Sequence, residues 1–477
     1  MREHLAAGGA ASLPVRFAKR EDWEREIRNV SPAGARFASD QGFDGAAGKV
    51  IFVPHENGAL AGAIVGLGDA AEQDPFLPDK LPGALSAGVW RLENWPGDPE
   101  LAVIAFLLGS YRFRKYRRAK GGGARLALPH GVSRARVLRI AESVALARDL
   151  INTPANDLGP AELAATARKL AREHGAACSI VVGDALLEKR FPMIHAVGRA
   201  SARAPRLVDI RYGKPSQVKV TLVGKGVVFD TGGLDIKPPS GMLLMKKDMG
   251  GAAVALAAAR MIMDAKLPVR LRVLLPIVEN AVGGAAFRPG DVLQSRRGLT
   301  VEIGNTDAEG RLILADALSF ADEEKPDLLI DFATLTGAAR VALGPDLPPF
   351  YTPSEKLAAD IARIGEKVND PAWRMPLWPA YRSMLDSKIA DMNNVASGPF
   401  AGSIVAALFL QRFVESAKEW AHFDVFGWNP SSKPGRPEGG EAQAARLVYA
   451  LVEARCATTS LGRPRATKRL RSGGTRQ

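Results

Sequence analysis

The run Asn305-Thr306-Asp307-Ala308-Glu309-Gly310-Arg311-Leu312 sets two carboxylates two residues apart, with a guanidinium two further on. In an extended segment alternate side chains share a face. Asn305, Asp307, Glu309 and Arg311 are therefore expected to line one side of a short strand end. Converging carboxylates and an arginine suit a hard metal ion and a developing oxyanion. In an apolar core each such charge would need its own partner. A second cluster lies upstream: Lys225, Asp230, Lys237 and Asp248. Gathered in one pocket, Asp230, Asp248, Asp307 and Glu309 would repel one another and raise their pKa values. Two divalent cations would cancel that charge, so the chemistry points to a two-metal centre.

The other metal-binding vocabulary is missing. His4, His55, His130, His174, His195 and His422 are scattered, and no His-Glu-x-x-His occurs. A His/Cys zinc site is set aside on that ground. An oxygen-rich donor set admits Mn²⁺ or Mg²⁺ beside Zn²⁺. His422 reads as a satisfied core or interface histidine. Asp235 and Lys246 read as solvated neighbours of the motif residues.

The elements that must hold these residues alternate. Expected strands are Cys178–Val182, Arg206–Tyr212, Val218–Val223, Arg270–Ile277, Thr300–Ile303 and Asp327–Phe332. Expected helices are Ala161–His174, Ala252–Ala265 and Leu312–Asp322. Such alternation predicts an α/β fold with a largely parallel central sheet flanked by helices. Ligands then gather beyond the carboxyl ends of the strands. Lys225, Asn305–Arg311 and Thr334–Gly337 each follow an expected strand, so three loops should open on one edge.

Upstream, Lys49–Pro54 and Leu60–Leu67 read as strands joined at Asn57-Gly58, a hairpin signal. A helix is expected from about Asp98 to Ser110. Ser133 could cap another that runs to about Ile151. The division is a smaller N-terminal α/β domain over 1–135, a connecting helix over 136–152, a catalytic domain over 153–460 and a basic disordered tail over 461–477.

The 477 residues are too many for one ordinary core and make two domains the natural expectation. Two cysteines far apart argue against a disulfide framework and fit a reducing compartment. No apolar run approaches the roughly 20 residues needed to span a membrane. The Ala/Gly-rich N-terminus lacks the apolar centre of a secretory signal and reads as a disordered leader. Net charge is +13. The tail holds Arg463, Arg465, Lys468, Arg469, Arg471 and Arg476 without an acid. Tyr111–Lys120 interleaves six basic residues with three aromatics. Such a pattern can bind single-stranded nucleic acid; a helix end whose long side chains cover a domain surface is the plainer reading.

The motifs resemble the leucine aminopeptidase family, the cytosolic two-metal M17 peptidases. The resemblance rests on Asn305-Thr-Asp-Ala-Glu-Gly-Arg-Leu, on Gly-Lys-Gly…Phe-Asp-Thr-Gly-Gly…Ile-Lys ending at Lys237, and on Lys247-Asp-Met-Gly-Gly-Ala-Ala. It continues through Arg288-Pro-Gly-Asp291, Ala333-Thr-Leu-Thr-Gly337 and Asp391-Met-Asn-Asn394, and covers roughly Arg148 to Glu453. It implies one metal site from Asp230, Asp307 and Glu309, with the Asp307 carbonyl. A tighter site takes Lys225, Asp230, Asp248 and Glu309. Lys237 and Arg311 are the implied catalytic residues, with bicarbonate on Arg311 as proton shuttle. Met245, Asn305, Thr334, Leu335 and Gly337 match substrate-binding positions.

The implied function is a cytoplasmic aminopeptidase, a homohexamer with Mn²⁺ or Zn²⁺. It would remove apolar, Leu-like N-terminal residues from peptides through a metal-bridging water. The alternative is a DNA-binding architectural protein on the same scaffold, with the basic tail as a weak nucleic-acid contact. Pro348–Pro353 and Phe426–Pro437 depart from the family pattern where loops shape a pocket or a subunit contact, which leaves the preferred residue open.

Overall fold

The computed structural model describes residues 1–32, 34–69, 74–117 and 123–461, the stretch 458–461 by backbone alone. Runs rich in Val, Ile and Leu form strands because such side chains pack well on a covered pleated surface. The large sheet runs in the order Trp373–Arg374, Pro349–Tyr351, Trp420–Asp424, Leu328–Ala333, Val218–Gly224, Val269–Asn280, Arg206–Tyr212, Ala177–Val182. Gly226–Asp230 also pairs with Val269–Asn280. From Trp420–Asp424 to Val269–Asn280 the neighbours are parallel. Antiparallel pairings at Arg206–Tyr212 and Pro349–Tyr351 flank that centre.

Period-2 alternation sorts the strand side chains between two layers. Val220, Leu222 and Ile330 join a core with the helices Arg134–Asn152, Gly250–Asp264 and Ala445–Leu461. Val223, Leu274 and Leu329 face the other way, onto Pro192–Gly198, Gly310–Asp322 and Gly402–Gln411. With both faces covered, the exposed business of the sheet is left to its strand ends.

The N-terminal domain is a second sheet, in the order Val50–Pro54, Leu60–Gly68, Leu13–Lys19, Gly88–Leu92, Ala124–Leu126. Its expected hairpin is present: Gly58 takes φ +80°, and Asn57 Oδ1 accepts from Ala59 N at 3.0 Å. Asp98 caps the helix Pro99–Gly109 by accepting from Glu100 N at 2.7 Å. Ser133 caps Arg134–Asn152, which packs against both Pro99–Gly109 and Gly250–Asp264 and so ties the domains together.

Three expectations are corrected. The first residues are not a disordered leader: Arg2–His4 make a helical turn, Leu5 is buried, and Ala6 N donates to Leu126 O at 2.9 Å. Thr300–Glu302 does not belong to the large sheet. It lies between Val292–Gln294 and Met392–Asn393 in a separate three-stranded sheet. Nor do Asn305–Arg311 continue an extended strand. The chain turns at 304–309, and the helix starts at Gly310, with Arg311 inside its first turn.

The tail from 462 onward lies outside the described residues, as do 118–122 at the end of the basic–aromatic run. No described helix is long and apolar enough to cross a membrane.

Candidate metal centre and active site

Four segments bring the acidic residues together. Lys225 follows Val218–Gly224 and is pinned by its backbone N–H on Phe332 O, 2.9 Å. Asp230 ends the strand Gly226–Asp230, and Asp248 sits in the short helix Met245–Met249. Asp307 and Glu309 stand on the turn before the helix Gly310–Asp322. Carboxylate oxygens of Asp230, Asp307 and Glu309 lie within 4.8 Å of one another. Asp248 joins them through a shared lysine: Lys225 Nζ is 2.7 Å from Asp248 Oδ2 and 2.9 Å from Glu309 Oε1. Lys237 Nζ spans the other side, 2.9 Å from Asp230 Oδ2 and 2.5 Å from Asp307 Oδ1.

Two close approaches require glycine. Gly232 has φ +88°, and a Cβ there would come 2.5 Å from Asp235 O and 3.1 Å from Asp307 Oδ1. At Gly310 a Cβ would sit 2.6 Å from Lys225 Cε. The Gly between Glu309 and Arg311 is thus the space that the lysine occupies.

The electrostatics are those of crowded acids. Burial, with repulsion from Asp230, pushes Glu309 up to about 8. Burial and the Asp230 charge likewise push Asp307 up to about 6, against the pull of Lys237. Burial opposes charge on Lys225, but Asp248, Glu309 and Asp230 outweigh it and hold the ammonium above its ordinary range. Burial also opposes charge on Asp248, yet Lys225 and Lys247 hold that carboxyl below the usual range.

Only Lys225 and Lys237, among the described residues, are in ion-pair contact with the four carboxylates, too few to match them one for one. Asp248 Oδ2, Asp307 Oδ1 and Glu309 Oε1 are buried and accept no aligned hydrogen bond, although lysine nitrogens touch all three. Those contacts are ionic and leave directional lone pairs unused. Compact hard cations fit that donor set. Their charge would also drive the proton from Lys225, which can ligate only as the neutral amine.

Arg311 is 8% exposed, so burial lowers its pKa to about 10. Its Nη1 donates to Asn394 O at 2.7 Å. Its Nε is buried without a partner, and no described carboxylate forms an ion pair with it. A small anion would satisfy it, at the start of a helix where backbone N–H groups favour negative charge.

The expected substrate positions border this centre in different ways. Thr334 Oγ1 donates to Asp248 Oδ1 at 2.8 Å, and Asn305 Oδ1 accepts from Asp307 N at 2.7 Å. Thr334 therefore orients the Asp248 carboxylate, and Asn305 fixes the backbone turn that carries Asp307. Leu335 N donates to Asp424 Oδ1 at 3.0 Å. Gly337 opens the helix Gly337–Leu343, and Met245 begins the short helix that carries Asp248.

The folded chain and family models agree on identity. The model of the cytosol aminopeptidase family catalytic domain matches residues 145–450. A model of the M17 aminopeptidase N-terminal domain matches residues 13–129. The chain belongs to the cytosol aminopeptidase (M17) family. Metal-dependent aminopeptidase activity, a hydrolysis of peptides, goes with that membership.

A "probable cytosol aminopeptidase" of Syntrophotalea carbinolica is 41% identical over 374 residues, 74% of each chain. One of Chlorobaculum tepidum is 35% identical over 490 residues, 93% of this chain and 97% of its own. Among solved structures, the cytosol aminopeptidase of Coxiella burnetii superposes with a TM-score of 0.91 at 46% identity, covering 95% of this chain and all of its own. The bottromycin maturation enzyme BotP, solved in complex with Mn, has a TM-score of 0.82 at 34% identity, covering 94% and 100%.

Several supporting residues escaped the sequence reading. Asn394 is fully buried. Its Oδ1 accepts from Gly304 N at 2.8 Å and Asn305 N at 3.2 Å, and its Nδ2 donates to Asn305 O at 2.7 Å. Asn280 Nδ2 donates to Asp230 Oδ1 at 2.8 Å. Asp235 is not a mere solvated neighbour, since its Oδ2 accepts from Thr306 N at 2.7 Å and so joins the two acidic loops. Lys246 is half-buried and donates to Asn152 O at 2.8 Å. The Asp391–Asn394 motif was the available signal for Asn394. His422 is a core residue as expected, fully buried with Nδ1 2.5 Å from Asp331 Oδ1, but it is only half satisfied, since Nε2 is buried without a partner.

Proposed function

We propose that the chain is a leucyl-type aminopeptidase that works with two divalent cations, Mn²⁺ or Zn²⁺, in the cytoplasm and as a homohexamer. Asp230, Asp307 and Glu309, with the Asp307 carbonyl, hold one ion. Lys225, Asp230, Asp248 and Glu309 hold the other. The observation that carries this reading is the set of buried carboxylate oxygens without aligned hydrogen bonds, converging from separate segments. Bound there, the ions would supply an activated water and polarise the scissile carbonyl.

The chain's own groups do the rest. Lys237 stays an ammonium: burial opposes its charge, but Asp230 and Asp307 raise its pKa. It is placed to stabilise negative charge that develops on the carbonyl oxygen. Arg311 would hold a bicarbonate, which would supply a proton carrier for the leaving amine. Asn305, Thr334, Leu335, Gly337 and Met245 border the substrate, with apolar N-terminal residues preferred. The N-terminal domain spans 1–135 and the catalytic domain 153–460, joined by the helix between them.

Hydrolysis of a Leu-anilide with added Mn²⁺ tests the reading against Asp307→Ala and Glu309→Ala. Metal-dependent turnover in the wild type and its loss in both variants are expected. Equal activity in all three would refute it.

A further inference from the structure

A cleft of about 670 Å³ opens between the two domains, bounded by Lys80, Arg112 and Phe113 on one side and by Asn152, Lys246 and Trp428 on the other. Its volume lies within the range of small-molecule sites, about 300–1,000 Å³. None of the proposed metal ligands or substrate positions lines it.

Its walls are cationic and aromatic. Arg112 Nη1 donates to Gly109 O and Tyr111 O, both at 2.7 Å, which fixes the guanidinium. Lys246 Nζ stands 5.5 Å from the centroid of the Trp428 ring and donates to Asn152 O. Neither cation forms an ion pair with a carboxylate among the described residues. The acids that line the cleft, Asp79 and Glu438, reach neither of them, and Lys433 is taken by Asp346. Tyr111 also lines the cleft and is rigid, with its hydroxyl on Asp149 Oδ1 at 2.7 Å. Trp428 and Phe113 are only partly buried.

We propose that this cleft binds a small phosphate-bearing molecule with a planar ring, of the mononucleotide class. An aromatic face offers stacking to a base. A tethered guanidinium offers its remaining N–H groups to phosphate oxygens, and the lysine adds a second positive charge. A ligand here touches both domains and therefore stabilises their join. It also rests on Lys246, one residue from Met245. The site is separate from the metal centre, and the inference does not depend on the peptidase reading.

Equilibrium dialysis of AMP against the full-length, metal-loaded protein at about 0.15 M salt tests it. Adenosine and inorganic phosphate serve as separate probes. Saturable binding of one AMP per chain is expected, with each fragment at least about tenfold weaker. Arg112→Gln and Trp428→Leu should each weaken AMP about tenfold. Arg112→Gln should leave Leu-anilide hydrolysis and the unliganded melting temperature unchanged, which separates a lost contact from a lost fold. The proposal is overturned by no saturable AMP binding below about 1 mM. Phosphate binding as tightly as AMP, or an affinity unaltered in Arg112→Gln, also overturns it.

Discussion

Asn394 offers the sharpest test of how the site is held. Its side chain fastens the turn that carries Asp307 and Glu309, through two short hydrogen bonds (2.8 Å to Gly304 N, 2.7 Å to Asn305 O) and two longer ones, 3.2 Å to Asn305 N and 3.4 Å to Ala308 O. Asn394→Ala removes all four, while the backbone carbonyl that receives Arg311 stays. Each short bond is worth about 1 kcal/mol net, and a buried partner left unpaired costs about 1–3 kcal/mol. Gly304 is exposed and Asn305 only partly buried, so water can resolvate much of what is freed. The expected loss is therefore about 2–4 kcal/mol, well short of the sum of the largest figures. Because the freed turn bears two of the proposed metal ligands, a displacement near 1 Å should cost about 10²-fold in kcat. Urea unfolding with Mn²⁺ present, and steady-state Leu-anilide hydrolysis, measure the two effects. Asn394→Asp serves as a second variant: it keeps the acceptor facing Gly304 N and loses the donor facing Asn305 O. The reasoning fails if Asn394→Ala keeps both its urea midpoint and its kcat.

Three further outcomes follow from the same geometry. Gly310→Ala drives a Cβ to within 2.6 Å of Lys225 Cε and should displace that amine. We expect Mn²⁺ affinity to fall about tenfold or more, read by metal titration; an unchanged affinity would contradict the proposed lysine ligand. Lys237→Gln should retain two metals per chain by elemental analysis yet lose about 10²-fold or more in kcat; loss of the metals instead would make Lys237 structural. In His422 burial opposes charge, but the Asp331 carboxylate wins and raises the pKa from 6.5. The folded state thus binds the proton more tightly than the unfolded chain. This contribution is complete below about 6.5 and disappears as pH rises through the raised folded value. Urea midpoints should decline as pH rises from about 6.5 through that raised value in the wild type and less steeply in His422→Gln; parallel profiles would refute the assignment.

Much of the architecture could be read in advance because its cause is local. Arg206–Tyr212 and Val218–Gly224 are short runs enriched in Val, Leu, Ile and Tyr, the side chains that pack on a covered pleated surface. Ser133 and Asp98 announce their helices as caps. The short strands Pro349–Tyr351 and Gly226–Asp230 carry no such message, since what places each is its partner strand. The extended reading of Asn305–Arg311 failed for a related reason. Asn394, distant in sequence, bends that stretch into a turn, and no local pattern reports such a bond.

Residue types and motif spacing were enough to name the acidic set Asp230, Asp248, Asp307 and Glu309, because that many carboxylates with two lysines have few uses except around cations. Which lysine meets which acid came from the fold. Parallel pairing of Val218–Gly224 with Leu328–Ala333 sets Lys225 beside Thr334, and the absence of a side chain at Gly310 lets the lysine reach Glu309. The inter-domain cleft lay wholly beyond the linear chain. Arg112, Lys246 and Trp428 are far apart in sequence and share a cavity only because one long helix, Arg134–Asn152, docks the two domains together.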